Sequence, residues 1–142
     1  MLYIYLAIQS FQKENEMSYK LVFFLNAIVV LALGLVLLFA PTMVLGQFRM
    51  SARVPEVFLA QVVGAALASL GLLLWFSKDA DVAAQKNLSM AALAGSVLGL
   101  IVTVIGVAKG TIVANGWIVI VVEVLFAMGY AFMLFLQPRM KE

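Results

Sequence analysis

The sequence predicts an all-α fold, an antiparallel up-down bundle of four transmembrane helices. Hydrophobic residues make up 65% of the 142-residue chain and charged residues only 11%, against about 45 to 50% apolar and about 25% charged residues in soluble domains. With one exception, the charged residues fall between four apolar runs that are each long enough for a helix of about 20 residues to cross a bilayer. A chain of this length is expected to form one domain.

Residues 1–16 are treated apart from the bundle, which we assign to residues 17–142. The segment MLYIYLAIQSFQKENE begins with an apolar stretch that is too short to span a membrane and then becomes polar. It lacks the basic start and small-residue cleavage site of a secretory signal. We expect either an extension upstream of Met17 or a short helix that lies in the membrane interface.

Prolines and tryptophans mark the ends of the predicted spans. Pro41 ends the first span because proline cannot continue a helix. Pro55 and Glu56 open the second, with proline in the first turn and an acid near the positive end of the helix dipole. Trp75 and Trp117 are expected to anchor span ends at the interface. The spans are therefore placed at about residues 21–40, 55–77, 88–108 and 116–137.

Basic residues predict the orientation of the bundle. The side that holds both termini and the loop of residues 77–87 carries six of them, and the other side carries three. Because cytoplasmic loops are enriched in lysine and arginine, we expect both termini to lie in the cytoplasm. The six are Lys13, Lys20, Lys78, Lys86, Arg139 and Lys141, and the three are Arg49, Arg53 and Lys109.

The residue types present argue against enzyme chemistry. The chain has no cysteine and no histidine, which removes disulfides, thiolate nucleophiles and imidazole bases. We therefore expect no catalytic residue, no metal site and no resident cofactor. A bound lipid, or a quinone ring beside Tyr130 and Glu123, is the alternative that the apolar bundle leaves open. A net charge of +2 gives a nucleic-acid partner no electrostatic support.

Three polar residues in three spans are predicted to lie at one depth. Gln61, Thr103 and Glu123 each fall about 9 to 10 Å from the end of the bundle opposite the termini, at 1.5 Å per residue. Tyr130 lies on the same helical face as Glu123. We expect these side chains to form a polar cluster inside the bundle.

Glu123 is the exception to the charge pattern, and two interpretations of it stay open. An ionised acid at such a depth costs at least about 2 to 3 kcal/mol. One interpretation is a neutral carboxylic acid that hydrogen-bonds to Gln61 or Thr103 and holds the helices together. The other is a ligand or proton site, to which Arg53 or Arg49 reaches from the loop above.

Small residues predict where the helices pack closely. Gly64 and Ala68 share a face with Gln61, and Gly95 and Gly99 form a GxxxG pattern in the third span. Such faces let membrane helices approach each other. We expect Gly95 and Gly99 to pack within the bundle or to form a dimer face.

The order of these features resembles the DoxX-like and DUF4345-type four-helix membrane proteins of bacteria. The likeness covers about residues 21–138: a first span ending in FAP at residues 39–41, GAA at 64–66, GLLL at 71–74, a charged loop, a glycine-bearing third span and Trp117. It implies a prokaryotic inner-membrane protein. Many of these proteins have an arginine near the start of the second span and a histidine in the third, where this chain has residues 56–61 and Ala94 or Ser96.

Three functions follow from these observations, in this order. The first is an accessory or structural subunit that binds other membrane proteins, or itself, by helix packing. The second is a proton-coupled carrier or binding protein that uses Glu123 for a small lipophilic or cationic ligand. The third, an enzyme acting on lipid or quinone, lacks a nucleophile with a base.

Overall fold

The computed structural model describes residues 1–136, apart from the side chains of residues 8 and 11–18. Regular structure in this part is entirely helical, so the all-α fold is confirmed. The helices are α1 (Leu2–Phe39), α2 (Pro41–Gln47), α3 (Val54–Ser77), α4 (Val82–Ala108) and α5 (Gly116–Ala131), and α5 continues into a π-helical segment at Phe132–Leu136.

Four segments are long and apolar enough to cross a membrane, which makes the chain a multi-pass membrane protein. They are Tyr19–Phe39, Val54–Ser77, Val82–Ala108 and Gly116–Leu136. The predicted spans agree with these bounds at most ends. The predicted end of the fourth span at residue 137 lies outside the described residues.

Two helix ends differ from the sequence-based expectation. Helix α1 runs without a break from Leu2 through the first span, so the backbone of residues 2–16 is helical and continuous with it. The interpretation of residues 1–16 as an extension or an interfacial helix stays a prediction. Helix α4 begins at Val82 rather than near residue 88, because the Asp81 carboxylate accepts a hydrogen bond from Ala84 N and caps the first turn.

Helices α1 and α3 form the closest pair, because glycines remove the side chains between their backbones. A methyl group built on Gly64 would lie 2.6 Å from Leu38 N and 2.8 Å from the carbonyl oxygen of Gly34. One built on Gly71 would lie 2.7 Å from Leu31 N. The two backbones are therefore in direct contact along this crossing.

Helices α4 and α5 form the second pair, and the two pairs are in contact at both ends of the bundle. At the end near the 77–87 loop, all four spans contribute to one apolar core. Its buried members are Tyr19, Phe23, Ala27, Leu74, Tyr130 and Met133, with Leu88, Ala92 and Leu93 of α4 packed against them.

Hydrogen bonds join the two pairs at the opposite end. The carbonyl oxygen of Phe48 accepts from Val113 N and Ala114 N, at 3.1 and 3.2 Å. Asn115 Nδ2 donates to the Gln47 carbonyl at 2.8 Å. Asn115 has φ +56°, a left-handed conformation that asparagine tolerates, and it turns the chain into α5.

Candidate functional site: an interior carboxyl on α5

The carboxyl group of Glu123 lies against α4, where the absence of a side chain at Gly99 makes room for it. A methyl group built on Gly99 would come within 2.6 Å of Glu123 Oε1. The hydroxyl of Ser96, one turn earlier on α4, lies beside the same carboxyl. Glu123 is half-buried, so its carboxyl belongs to the α4–α5 interface.

The face of α4 that turns inward is polar along its whole length. Its buried residues are Gln85, Ser89, Ser96 and Thr103. Spacings of four and seven residues place them on one side of a helix. An interior face of this kind is unusual in a chain in which 65% of the residues are hydrophobic, and it gives Glu123 a polar surface to contact.

Thr103 and Gln61 have different surroundings. Thr103 is buried on the same α4 face, one turn beyond Gly99. Gln61 Nε2 instead donates to the Leu38 carbonyl of α1, at 3.3 Å. Helix α1 ends at Phe39, so its last carbonyls have no N–H partner within the helix, and Gln61 supplies one of the missing hydrogen bonds.

Tyr130 is fully buried on α5, two turns after Glu123 and closer to the end of the bundle near the 77–87 loop. Its hydroxyl accepts a hydrogen bond from Asn26 Nδ2 at 2.6 Å, and its ring lies 6.1 Å from that of Phe23. Asn26 of the first span therefore bonds a residue of a neighbouring helix. This bond joins α1 to α5, and therefore one helix pair to the other.

Arg53 and Arg49 are not ion-pair partners of Glu123. Arg53 immediately precedes α3 and is exposed. Among the side chains that the structure describes, the ion pairs are Lys20 with Asp79 and Lys78 with Asp79, both at the opposite end of the bundle. Glu123 also has no charged neighbour within the spans, because residues 21–39, 57–77 and 88–108 contain none.

The residues expected to pack helices fall into two groups. Gly64 and Ala68 lie in the α1–α3 crossing, and Gly99 contacts Glu123. Gly95 is exposed, and a methyl group built on it would meet no atom within 4 Å among the described residues. The expectation that Gly95 packs within the bundle is therefore wrong, because this side of α4 faces outward; a dimer face there stays a prediction.

Sequence reasoning missed Gln85 and Ser89, which form the end of the polar α4 face nearest the 77–87 loop. Gln85 had been assigned to a loop outside the membrane, and Ser89 had been counted only as part of a span. The spacing of Gln85, Ser89, Ser96 and Thr103, at four, seven and seven residues, was the available signal.

An apolar groove runs between α1 and α5. It has a volume of about 400 Å³. Gly129 widens it, since the nearest atom to a methyl group built there is Val22 Cγ1 at 3.9 Å. The groove is lined by Val22, Leu25, Val29, Val122, Leu125, Phe126 and Gly129.

The arrangement is suited to hold a proton or a cation, because the Glu123 carboxyl has no counter-ion among the described side chains and lies beside the Ser96 hydroxyl. Comparisons with protein-family models, curated proteins and solved structures found no match to this chain. The resemblance to DoxX-like proteins therefore stays a prediction.

Proposed function

We propose that this membrane protein binds a small lipophilic or cationic ligand through Glu123, and that the carboxyl releases its proton when a cationic ligand binds. The observation that carries the proposal is the contact of the Glu123 carboxyl with Gly99 and Ser96 in the interior of the α4–α5 pair. No basic side chain within residues 21–39, 57–77 or 88–108 competes with a ligand for this carboxylate.

The energetics of a buried acid explain why binding and proton release are coupled. An ionised carboxylate in the middle of a membrane helix costs about 2.5 to 3.5 kcal/mol. Without a ligand, Glu123 avoids this cost by holding a proton and hydrogen-bonding to Ser96. A cation beside the carboxylate removes the same cost, so that ligand and proton exclude each other.

The groove between α1 and α5 supports the lipophilic character of the ligand. It lies among residues of the two spans, and every residue that lines it is apolar. Val122, in its wall, is the sequence neighbour of Glu123. The groove is therefore suited to the apolar body of a ligand, while the Glu123 carboxyl lies on the neighbouring side of α5, against α4.

Binding of a lipophilic cation to the protein in lipid nanodiscs tests the proposal. Tetraphenylphosphonium is the probe, and calorimetry in buffers of different ionisation enthalpy counts the protons released. We expect saturable binding with about one proton released per cation. Glu123→Gln should abolish the proton release and weaken binding.

Glu56→Gln is the matched control, because it makes the same change at the start of α3 and should leave both quantities unchanged. Release of the same number of protons by the Glu123→Gln protein would overturn the proposal, as would an absence of saturable binding.

A structural or accessory subunit is the second candidate function. It is favoured by the outward position of Gly95 on α4, the span with the smallest share of buried residues. A small-residue position with open space permits close approach of a helix from another chain. Native mass spectrometry after gentle detergent extraction tests this second function. A complex or dimer that dissociates in the Gly95→Leu variant supports it. A lone monomer contradicts it.

We further infer that the protein lies in the inner membrane of a prokaryotic cell with both termini in the cytoplasm. The excess of basic residues on the side of the 77–87 loop supports this orientation. It places the α1–α3 turn and the α4–α5 turn, which hydrogen-bond to each other, on the extracytoplasmic side.

A further inference from the structure

Two buried polar atoms at the end of the α4 face nearest the 77–87 loop have no hydrogen-bond partner among the described residues. They are Ser89 Oγ and Gln85 Oε1. Both residues are almost completely buried, and Gln85 Nε2 is already bonded to the Lys78 carbonyl at 2.8 Å. Buried polar groups are nearly always hydrogen-bonded, to protein or to water, so these two atoms indicate a missing partner.

Ser89 differs from other serines in the helices of this protein. The hydroxyls of Ser10, Ser69 and Ser77 each donate to a carbonyl three or four residues earlier in the same helix, at 2.6 to 2.9 Å. Helical serines commonly make this bond. The Ser89 hydroxyl does not make it, although the residue is fully buried. Its oxygen is therefore available to a partner in the interior.

The register of α4 and α5 brings Ser89 to the level of Tyr130. Ser96 lies beside Glu123, and the two helices are antiparallel. Seven residues before Ser96 is Ser89, and seven residues after Glu123 is Tyr130, a shift of about 10 Å along each helix. Leu88 and Ala92, which flank Ser89, pack on the core cluster that contains Tyr130.

Tyr130 keeps a hydrogen-bonding capacity of its own at this level. Its hydroxyl oxygen accepts from Asn26 Nδ2, which leaves the phenolic proton to donate. A water molecule needs two to four polar partners to be held inside a protein. Ser89 Oγ and Gln85 Oε1, one turn apart on α4, offer two such partners, and the Tyr130 hydroxyl belongs to the same level of the bundle.

We propose that Ser89 and Gln85 bind ordered water inside the bundle, and that this water forms the inner part of a proton path between Glu123 and the surface at the 77–87 loop. The path runs from the Glu123 carboxyl and Ser96 through further water over the roughly 10 Å to the Tyr130 hydroxyl and the water at Ser89, and leaves at Gln85. A proton released from Glu123 passes along these groups to bulk water, and its return follows the reverse order.

The outlet of this path opens among charged residues. Gln85 is bonded to the carbonyl of Lys78, whose ammonium group pairs with Asp79 at 2.7 Å. Lys20 of α1 pairs with the same carboxylate at 2.6 Å, and Lys86 of α4 is exposed. Between this end and Glu123, the facing residues 21–39, 57–77 and 88–108 carry no charged group, so the proposed path depends on neutral polar groups and water.

The path rests on the proposed protonation of Glu123. One experiment tests the protonation and the path separately. Infrared spectroscopy of the protein in nanodiscs records the carbonyl stretch of the protonated carboxyl, assigned by its loss in Glu123→Gln. Transfer to deuterated water shifts this band, and the rate of the shift measures proton exchange with bulk water. Absence of the band would contradict the proposed function and, with it, the path.

With the band present, Ser89→Ala decides the path. The variant should slow the exchange roughly fivefold to tenfold, as expected when one hydrogen bond of the path is lost. Ser69→Ala is the matched control, because that hydroxyl is exposed and bonded to its own helix, and it should leave the rate unchanged. An unchanged rate in Ser89→Ala would overturn the path.

Magnetization transfer from water, measured by solid-state NMR on the unmodified protein, provides a second readout that needs no variant. We expect rapid transfer to Ser89 and Tyr130 and slow transfer to Phe23, which is equally buried but has no polar atom in its side chain. Equally slow transfer to all three would overturn the water site.

Discussion

Glu123 and Gly99 form a complementary pair across the α4–α5 interface: the carboxyl occupies the space that any larger residue at position 99 would fill. A methyl group on Gly99 would lie 2.6 Å from Oε1 and 3.1 Å from the carboxyl carbon. The position of the acid therefore depends on a glycine in another helix, and the two can be tested together.

Replacing Gly99 by alanine is expected to displace the Glu123 carboxyl while leaving the fold intact. The atoms that the methyl group would meet are the end of a flexible side chain, so stability should fall by no more than about 1 kcal/mol. Binding of tetraphenylphosphonium should weaken about tenfold, which corresponds to about 1.4 kcal/mol of lost contact.

Gly95→Ala is the control for this change, since it lies one turn away on α4 with open space around it. Calorimetry and thermal unfolding in detergent compare the two variants. Wild-type affinity in Gly99→Ala would show that ligand binding does not use the carboxyl in this position.

The Asn26–Tyr130 hydrogen bond is expected to contribute modestly to the association of the two helix pairs. Bonds between membrane helices are worth about 0.6 kcal/mol on average and at most about 1.7 kcal/mol. A double-mutant cycle with Asn26→Ala and Tyr130→Phe, measured by unfolding in mixed micelles, should give a coupling energy in this range. A coupling of zero would mean that the 2.6 Å contact contributes nothing to stability.

Asp79 gives the protein a titration at low pH outside the membrane spans. The ammonium groups of Lys20 and Lys78 hydrogen-bond to its carboxylate and lower its pKa from 3.8 to about 2. Because the pKa is lowered in the folded protein, the ion pairs stabilise it above about pH 3.8, and this contribution disappears as the pH falls through about 2.

Lys20→Met should therefore raise the pKa of Asp79 towards 3.8, as carbon-detected NMR of the side-chain carboxyl would show. Lys86→Met is the control, because Lys86 has no ion pair among the described side chains. The same upward shift in both variants would contradict the specific role of Lys20.

The absence of cysteine makes the orientation directly measurable. Single cysteines replace Ala83, at the start of α4, and Thr111, in the α4–α5 turn; both positions are exposed. With both termini in the cytoplasm, a membrane-impermeant maleimide should label Thr111→Cys on intact cells and Ala83→Cys only after permeabilisation. The reverse pattern would invert the topology.

The sequence was sufficient to predict the spans but not which helices are neighbours. Apolar runs and prolines placed Val54–Ser77 to within one residue, because the bilayer fixes the length of a span. The same runs carry no information on pairing: Gly34, at the centre of the α1–α3 crossing, was not singled out. Periodicity identifies the face of a helix, whereas the neighbour on that face is decided by tertiary packing.

The candidate site was predicted in part for the same reason. Depth along the helices placed Glu123 and Thr103 at one level, whereas the carboxyl contacts Gly99 and Ser96 of α4, because depth alone does not determine direction. Gln61, at similar depth, donates to the Leu38 carbonyl, one of the last carbonyls of α1, which have no N–H partner within the helix. Ser89 and Gln85 were missed because their importance follows from unpaired atoms, which only a structure reveals.

Glu123 is proposed to hold a proton at the α4–α5 interface within the membrane, and labelling with dicyclohexylcarbodiimide tests this most directly. This apolar reagent modifies protonated carboxyl groups inside membranes, and peptide mass spectrometry locates the adduct. We predict an adduct on Glu123 that tetraphenylphosphonium suppresses, with no adduct on the exposed Asp79. An unmodified Glu123, or equal modification of Glu123 and Asp79 by a water-soluble carbodiimide, would contradict the claim.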